Sequence, residues 1–234
     1  MIAILAGCGQ QVDSKKLEAD LRDKTKAQGM NPTKVSCPSG VQPKQGAVFT
    51  CQIELDGKKT YPLDLTISKI NDDHTLAFEN KWHDGPAVQL AKLVPALTDD
   101  LGKQLGGPVR LDCGKDPLAF LDVQRKLHCD LAAGDPKVEV KTKAVIDFDD
   151  KLVPSDWHLD PPLLAKAKVE ERVTPAVREK AGAGVTVDCG AAAYLPRPPD
   201  GNLMCSVKDG DKTGKLKISV DDKLELKGWE ILPP

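Results

Sequence analysis

Six of the seven cysteines set the frame of this chain. They stand as Cys37/Cys51, Cys113/Cys129 and Cys189/Cys205, with separations of 14, 16 and 16 residues, and the first members of successive pairs lie 76 residues apart both times. A period held twice is the mark of internal repetition, so the 234 residues, which by length would suit one or two domains, read as three tandem modules. Six thiols allow 15 pairings, and the repeat favours the one with a bridge inside each module. Zinc would want close Cys-x-x-Cys spacings with matching histidines, which do not occur, so no metal and no other cofactor is expected.

Other landmarks keep the same beat. Phe49, Leu127 and Leu203 stand two residues before each second cysteine, and Ile53, Leu131 and Val207 two after it, which is strand alternation. Turn signals follow at Asp56-Gly57, Gly134-Asp135 and Asp209-Gly210, then a second alternating run: from Tyr61, from Val138 and from Leu216. The pairs Asp72-Asp73, Asp149-Asp150 and Asp221-Asp222 then read as turns before a last strand ending at Trp82, Trp157 or Trp229. Before each first cysteine lies a helical pattern, capped in the first module by Ser14 and ended by Gly29, and interrupted in the other two by Pro95 and Pro175. The expected fold class is α+β: three tandem modules, each a helix, kinked or a helix-turn-helix, packed on a four-stranded antiparallel sheet with one disulfide. Pro-rich joints place the boundaries at 13–85, 86–160 and 161–234, and joints of that kind leave few residues for a shared core.

Cys8 is the odd thiol. It closes Leu5-Ala6-Gly7-Cys8, which resembles the lipobox of bacterial lipoproteins, where the cysteine is lipidated after the leader is cut away. Residues 1–12 are therefore read as a truncated signal, lipobox and tether, with the true start upstream because no basic n-region precedes the apolar residues. Export would also explain the paired cysteines, since disulfides persist outside the cytosol. Cys37-Pro38-Ser39-Gly40 and Gly46-Ala47-Val48-Phe49-Thr50-Cys51, followed by Asp56-Gly57, resemble a small bacterial lipoprotein domain of unknown function. The other two modules replace Pro38 by Gly114 and Gly190. The resemblance implies a non-catalytic module facing the periplasm or the cell exterior. At the level of fold alone, the modules also look like secreted β-lactamase-inhibitor proteins and small outer-membrane assembly lipoproteins.

Composition narrows the function further. With 33 Lys+Arg against 35 Asp+Glu there is no basic excess for a phosphate backbone, and nine aromatics leave little for base stacking, so no nucleic acid is expected as a partner. No Gly-x-Ser-x-Gly, phosphate-loop, dinucleotide or His-Glu-x-x-His pattern occurs, and no catalytic residue is assigned. Trp82, Trp157 and Trp229 recur once per module and are candidate partner contacts if exposed. The resulting expectation is a non-enzymatic envelope protein, held at the membrane by lipid on Cys8, that binds a protein or envelope polymer. The alternative is a secreted or anchored inhibitor that blocks an enzyme with loops of adjacent modules.

Overall fold

Period-two alternation broken by Asp-Gly and Gly-Asp turns produces the hairpins that organise the chain. The computed structural model describes residues 2–5, 11–57 and 59–232, a mixed α/β chain of three helices and antiparallel sheets. Cys8 lies outside the described residues.

The first stretch runs β1 (Ile2–Leu5), α1 (Ser14–Ala27), β2 (Pro32–Ser36), β3 (Val48–Leu55), β4 (Lys59–Ile70) and β5 (Thr75–Trp82), in one sheet ordered β1-β5-β4-β3-β2. Helix α1 exists because Leu17, Leu21 and Thr25 recur every four residues and bury one face. Its N-cap is Asp13 rather than the expected Ser14, which is already helical; the Asp13 carboxylate accepts from the Lys16 N–H at 3.1 Å. Gly29 follows the helix with φ +88°, the left-handed conformation a C′ glycine supplies cheaply. The sheet has five strands where four were expected. Ile2–Leu5 pairs antiparallel with β5, Ile2 opposite Phe78, and so satisfies an edge that would otherwise present unpaired N–H and C=O groups.

The second stretch runs β6 (Ala87–Gln89), α2 (Leu90–Leu105), β7 (Val109–Asp112), β8 (Leu118–Phe120), β9 (Lys126–Ala133), β10 (Val140–Phe148) and β11 (Pro154–Asp160). Its sheet is β11-β10-β9-β7, with β6 and β8 in a separate two-stranded ribbon. Val138, expected in a strand, lies in the turn before β10 and is exposed. The third stretch repeats the plan as β12 (Leu163–Ala165), α3 (Lys166–Ala181), β13 (Thr186–Asp188), β14 (Tyr194–Pro196), β15 (Asn202–Asp209), β16 (Lys212–Val220) and β17 (Leu226–Leu232). Its sheet is β13-β15-β16-β17 and its ribbon β12-β14.

Neither α2 nor α3 is a helix-turn-helix: each is one continuous helix of 16 residues with its proline inside. Pro95 and Pro175 are exposed, as are Ala91 and Glu171 four residues earlier. The carbonyls that lose an N–H donor therefore face water, which is where an internal proline costs least.

The chain divides into two compact units, residues 1–91 with 114–125 and 150–152, and residues 92–113 with 126–149 and 153–234. In the first, Leu17, Leu21, Ile53, Leu55, Leu65 and Ile67 form the centre of the core, and Leu118 of β8 is buried in the same cluster with Phe120 against it. In the second, Val169, Val173 and Val177 of α3 pack with Cys205, Leu216 and Ile218, while Leu101, Leu131, Ala144 and Ile146 are buried in the α2 and β7–β11 stretch.

Candidate functional site

The three disulfides form as the period requires: Cys37–Cys51, Cys113–Cys129 and Cys189–Cys205, with Cα–Cα distances of 4.3, 4.3 and 4.2 Å. Each first cysteine follows an edge strand, β2, β7 or β13, by one residue, and each second cysteine sits directly across the ladder, so the bridge extends the pairing of β2 with β3, β7 with β9, and β13 with β15. A loop of about 15 residues closed in this way is worth about 3 kcal/mol in the chain-entropy picture. Every described cysteine is bonded, so none supplies a thiol nucleophile or a metal ligand.

A carboxylate supports two of these bridges. Glu18, fifth residue of α1, accepts from the Cys37 N–H at 2.8 Å, and Glu170, fifth residue of α3, accepts from the Cys189 N–H at 2.8 Å. The fifth residue of α2 is Val94, so the second stretch lacks this contact. The recurrence, a glutamate 19 residues before the cysteine, was visible in the sequence but was not picked out there. A half-buried charged acceptor on a backbone N–H is worth about 1.5–3 kcal/mol. Glu170→Ala is therefore expected to lower stability by about that amount in urea unfolding, with Glu170→Gln recovering part of it; an unchanged midpoint for both would remove the tether from the account.

The loops closed by the disulfides also carry a recurring buried residue. Leu118 and Tyr194 each stand five residues after the first cysteine, and both are buried. Leu118 enters the core built by α1 and β2–β5, where Phe120 lies 6.1 Å from the Tyr61 ring and Asp116 pairs with Lys59 at 2.6 Å. Tyr194 lies against Gly107 and Gly134, and its hydroxyl donates to the Leu105 carbonyl at 3.4 Å. Thr142 of β10 donates to the Pro161 carbonyl at 2.7 Å at the same joint. Packed side chains thus stand beside the Pro-rich joints, and β6 and β12 hold the loops by pairing with β8 and β14.

The tryptophans are all half-buried and do not share one register. Trp82 stands opposite Leu63, the residue that also faces Cys51, whereas Trp157 and Trp229 stand opposite Ile146 and Ile218, two positions away from the cysteine row. Trp82 packs edge-on to Tyr61 at 6.2 Å, and Trp229 rests on the core cluster of α3 and β15–β16 beneath the Lys180 ammonium at 5.0 Å. Trp157 lines a cavity of about 360 Å³ with Leu97, Asp100 and Gln104.

The polar clusters are turns and surface pairs. Asp73 accepts from Thr75, Asp149 from the Val153 N–H, and Asp221 from the Lys223 and Glu225 N–H groups, the side-chain-to-backbone chemistry of tight turns. On β4, Asp64 accepts from the Thr50 hydroxyl at 2.7 Å and lies 2.9 Å from His83 Nδ1. Those two contacts, the hydroxyl first, hold its carboxyl below the ordinary aspartate value. Hydroxyl and imidazole both meet the carboxylate and not each other, so the trio lacks the nucleophile-to-base contact of a catalytic triad. Among the described residues no cluster of three or more His, Cys, Asp or Glu side chains is arranged to hold a metal ion, and no helix is long and apolar enough to cross a membrane.

No significant match was found among curated proteins or solved structures. A family described as a domain of unknown function (DUF4333) matches residues 2–72, which covers α1, the first disulfide and the β3–β4 hairpin.

Proposed function

We propose that the chain is a non-catalytic bacterial envelope lipoprotein, three tandem disulfide-stapled modules at 13–85, 86–160 and 161–234, tethered through lipid on Cys8 and binding a protein or envelope polymer. The carrying observation is the set of three disulfides, each bridging an edge strand to the next strand of its own sheet. Such bridges persist in oxidising compartments and are reduced in the cytosol. The Leu5-Ala6-Gly7-Cys8 motif supplies the means of anchoring. Cleavage before Cys8 would remove β1 and leave the first sheet with four strands, the number in each of the other two. The match to a domain of unknown function fits a stabilised module without assigning it chemistry.

Expression behind a complete lipoprotein leader in a suitable bacterium tests the tether. The wild-type chain is expected in the membrane fraction with a lipid mass on Cys8, and Cys8→Ala is expected in the soluble fraction. Equal distribution of the two, with an unlipidated amino terminus, would overturn the anchor.

A further inference from the structure

A cavity of about 250 Å³ lies between the end of α2 and the start of α3. Leu105, Leu163, Leu164, Val169, Leu224 and Leu226 supply the apolar half of a mixed lining, Gln104 and the two cations below supply polar surface, and the cavity is partly open to solvent. Lys168 and Arg172, four residues apart on one face of α3, stand at its wall. An enclosed apolar cavity of about 150 Å³ is enough to take benzene; by volume this more open one has room for a short hydrocarbon segment.

The two cations are what make the cavity informative. Like charges at this spacing on a helix repel, and they fall in the first two turns of α3, which contain no acidic residue in the first turn to meet the positive end of the helix dipole. Ala165, the N-cap residue, lines the cavity and lends the first turn no side-chain acceptor. The neighbouring carboxylates are directed elsewhere: Glu170 to Lys166 and the Cys189 N–H, Glu225 to Lys227, Asp100 to Gln104. Among the described residues Lys168 and Arg172 form no ion pair, with the exposed Glu171 or with any other acid.

We propose that this cavity binds a fatty carboxylate, its hydrocarbon chain against the leucines and its carboxylate between Lys168 and Arg172. Apolar burial supplies the affinity and the paired cations select the sign of the head group. A neutral or cationic amphiphile of equal chain length would bury the same surface and forfeit the charge-assisted contacts. This binding does not depend on the lipid anchor.

Calorimetric titration of the full chain with decanoate, below its micelle concentration, tests the proposal. Saturable binding at one site is expected, weakened about tenfold or more for 1-decanol and for decyltrimethylammonium. Lys168→Gln with Arg172→Gln should abolish the preference for decanoate over 1-decanol, and because both positions are exposed the variant should melt like the parent. Ala165→Leu, which adds bulk to the wall, should weaken all three ligands together. Absence of decanoate binding, equal binding of the three amphiphiles, or a preference that survives loss of both cations would overturn the proposal.

Discussion

Tyr194→Ala is expected to destabilise the chain by about 3–5 kcal/mol, the range for removing a large buried ring, and to lower the melting temperature by roughly 10 °C or more. The ring is 3% exposed and fills the space between Gly107 and Gly134. Tyr194→Phe removes only the hydroxyl, whose long bond to Leu105 is weak, and should cost less than about 1 kcal/mol. Gly107 offers the reciprocal test. A Cβ built there comes within 2.4 Å of the Tyr194 hydroxyl, so Gly107→Ala forces a buried ring to shift. Combining Gly107→Ala with Tyr194→Phe removes the clashing atom, and the pair should be more stable than the sum of the single effects predicts. Strict additivity in urea unfolding would mean that this ring does not make the joint. The contrasting expectation, that residues 161–234 share few core residues with the rest of the chain, would require Gly107→Ala, outside that stretch, to be nearly silent.

The difference between those expectations shows what a single chain of residues reveals. The disulfides, hairpins and helices were legible because each repeats with the cysteines and each has its own period, two for strands and four for buried helix positions such as Val169, Val173 and Val177. The β6/β8 and β12/β14 ribbons were not, because three residues carry no alternation that can be told from a loop. Pro95 and Pro175 suggested breaks, but an internal proline is tolerated more readily where the carbonyl it leaves unbonded is on an exposed face, and solvent exposure is not written in the sequence. Trp82, Trp157 and Trp229 align by distance from Pro, yet register is set by hydrogen bonding, and that places Trp82 two positions from the others. The cavity beside α3 joins Leu105 to Leu226, residues whose proximity no local pattern encodes. The cations Lys168 and Arg172 read in the sequence as an ordinary polar helix face, and only the leucines beneath them give that face a use.

The second large effect concerns the bridges. Replacing Cys189 and Cys205 by Ala is expected to cost about 2–5 kcal/mol, the range for small disulfide-bonded exported domains, which is a large share of a total margin of about 5–15 kcal/mol. The loss should exceed that from Glu170→Ala, because the carboxylate positions the Cys189 N–H while the bond itself restrains the unfolded chain. Removing all three bridges together should leave the chain unfolded at 37 °C. The same bonds offer the most direct measurement of the central proposal, export of a chain stapled module by module: peptide mapping of protein alkylated at the moment of cell lysis. The account predicts three unreduced peptides, Cys37–Cys51, Cys113–Cys129 and Cys189–Cys205. Six alkylated cysteines, or bridges joining different pairs, would contradict it.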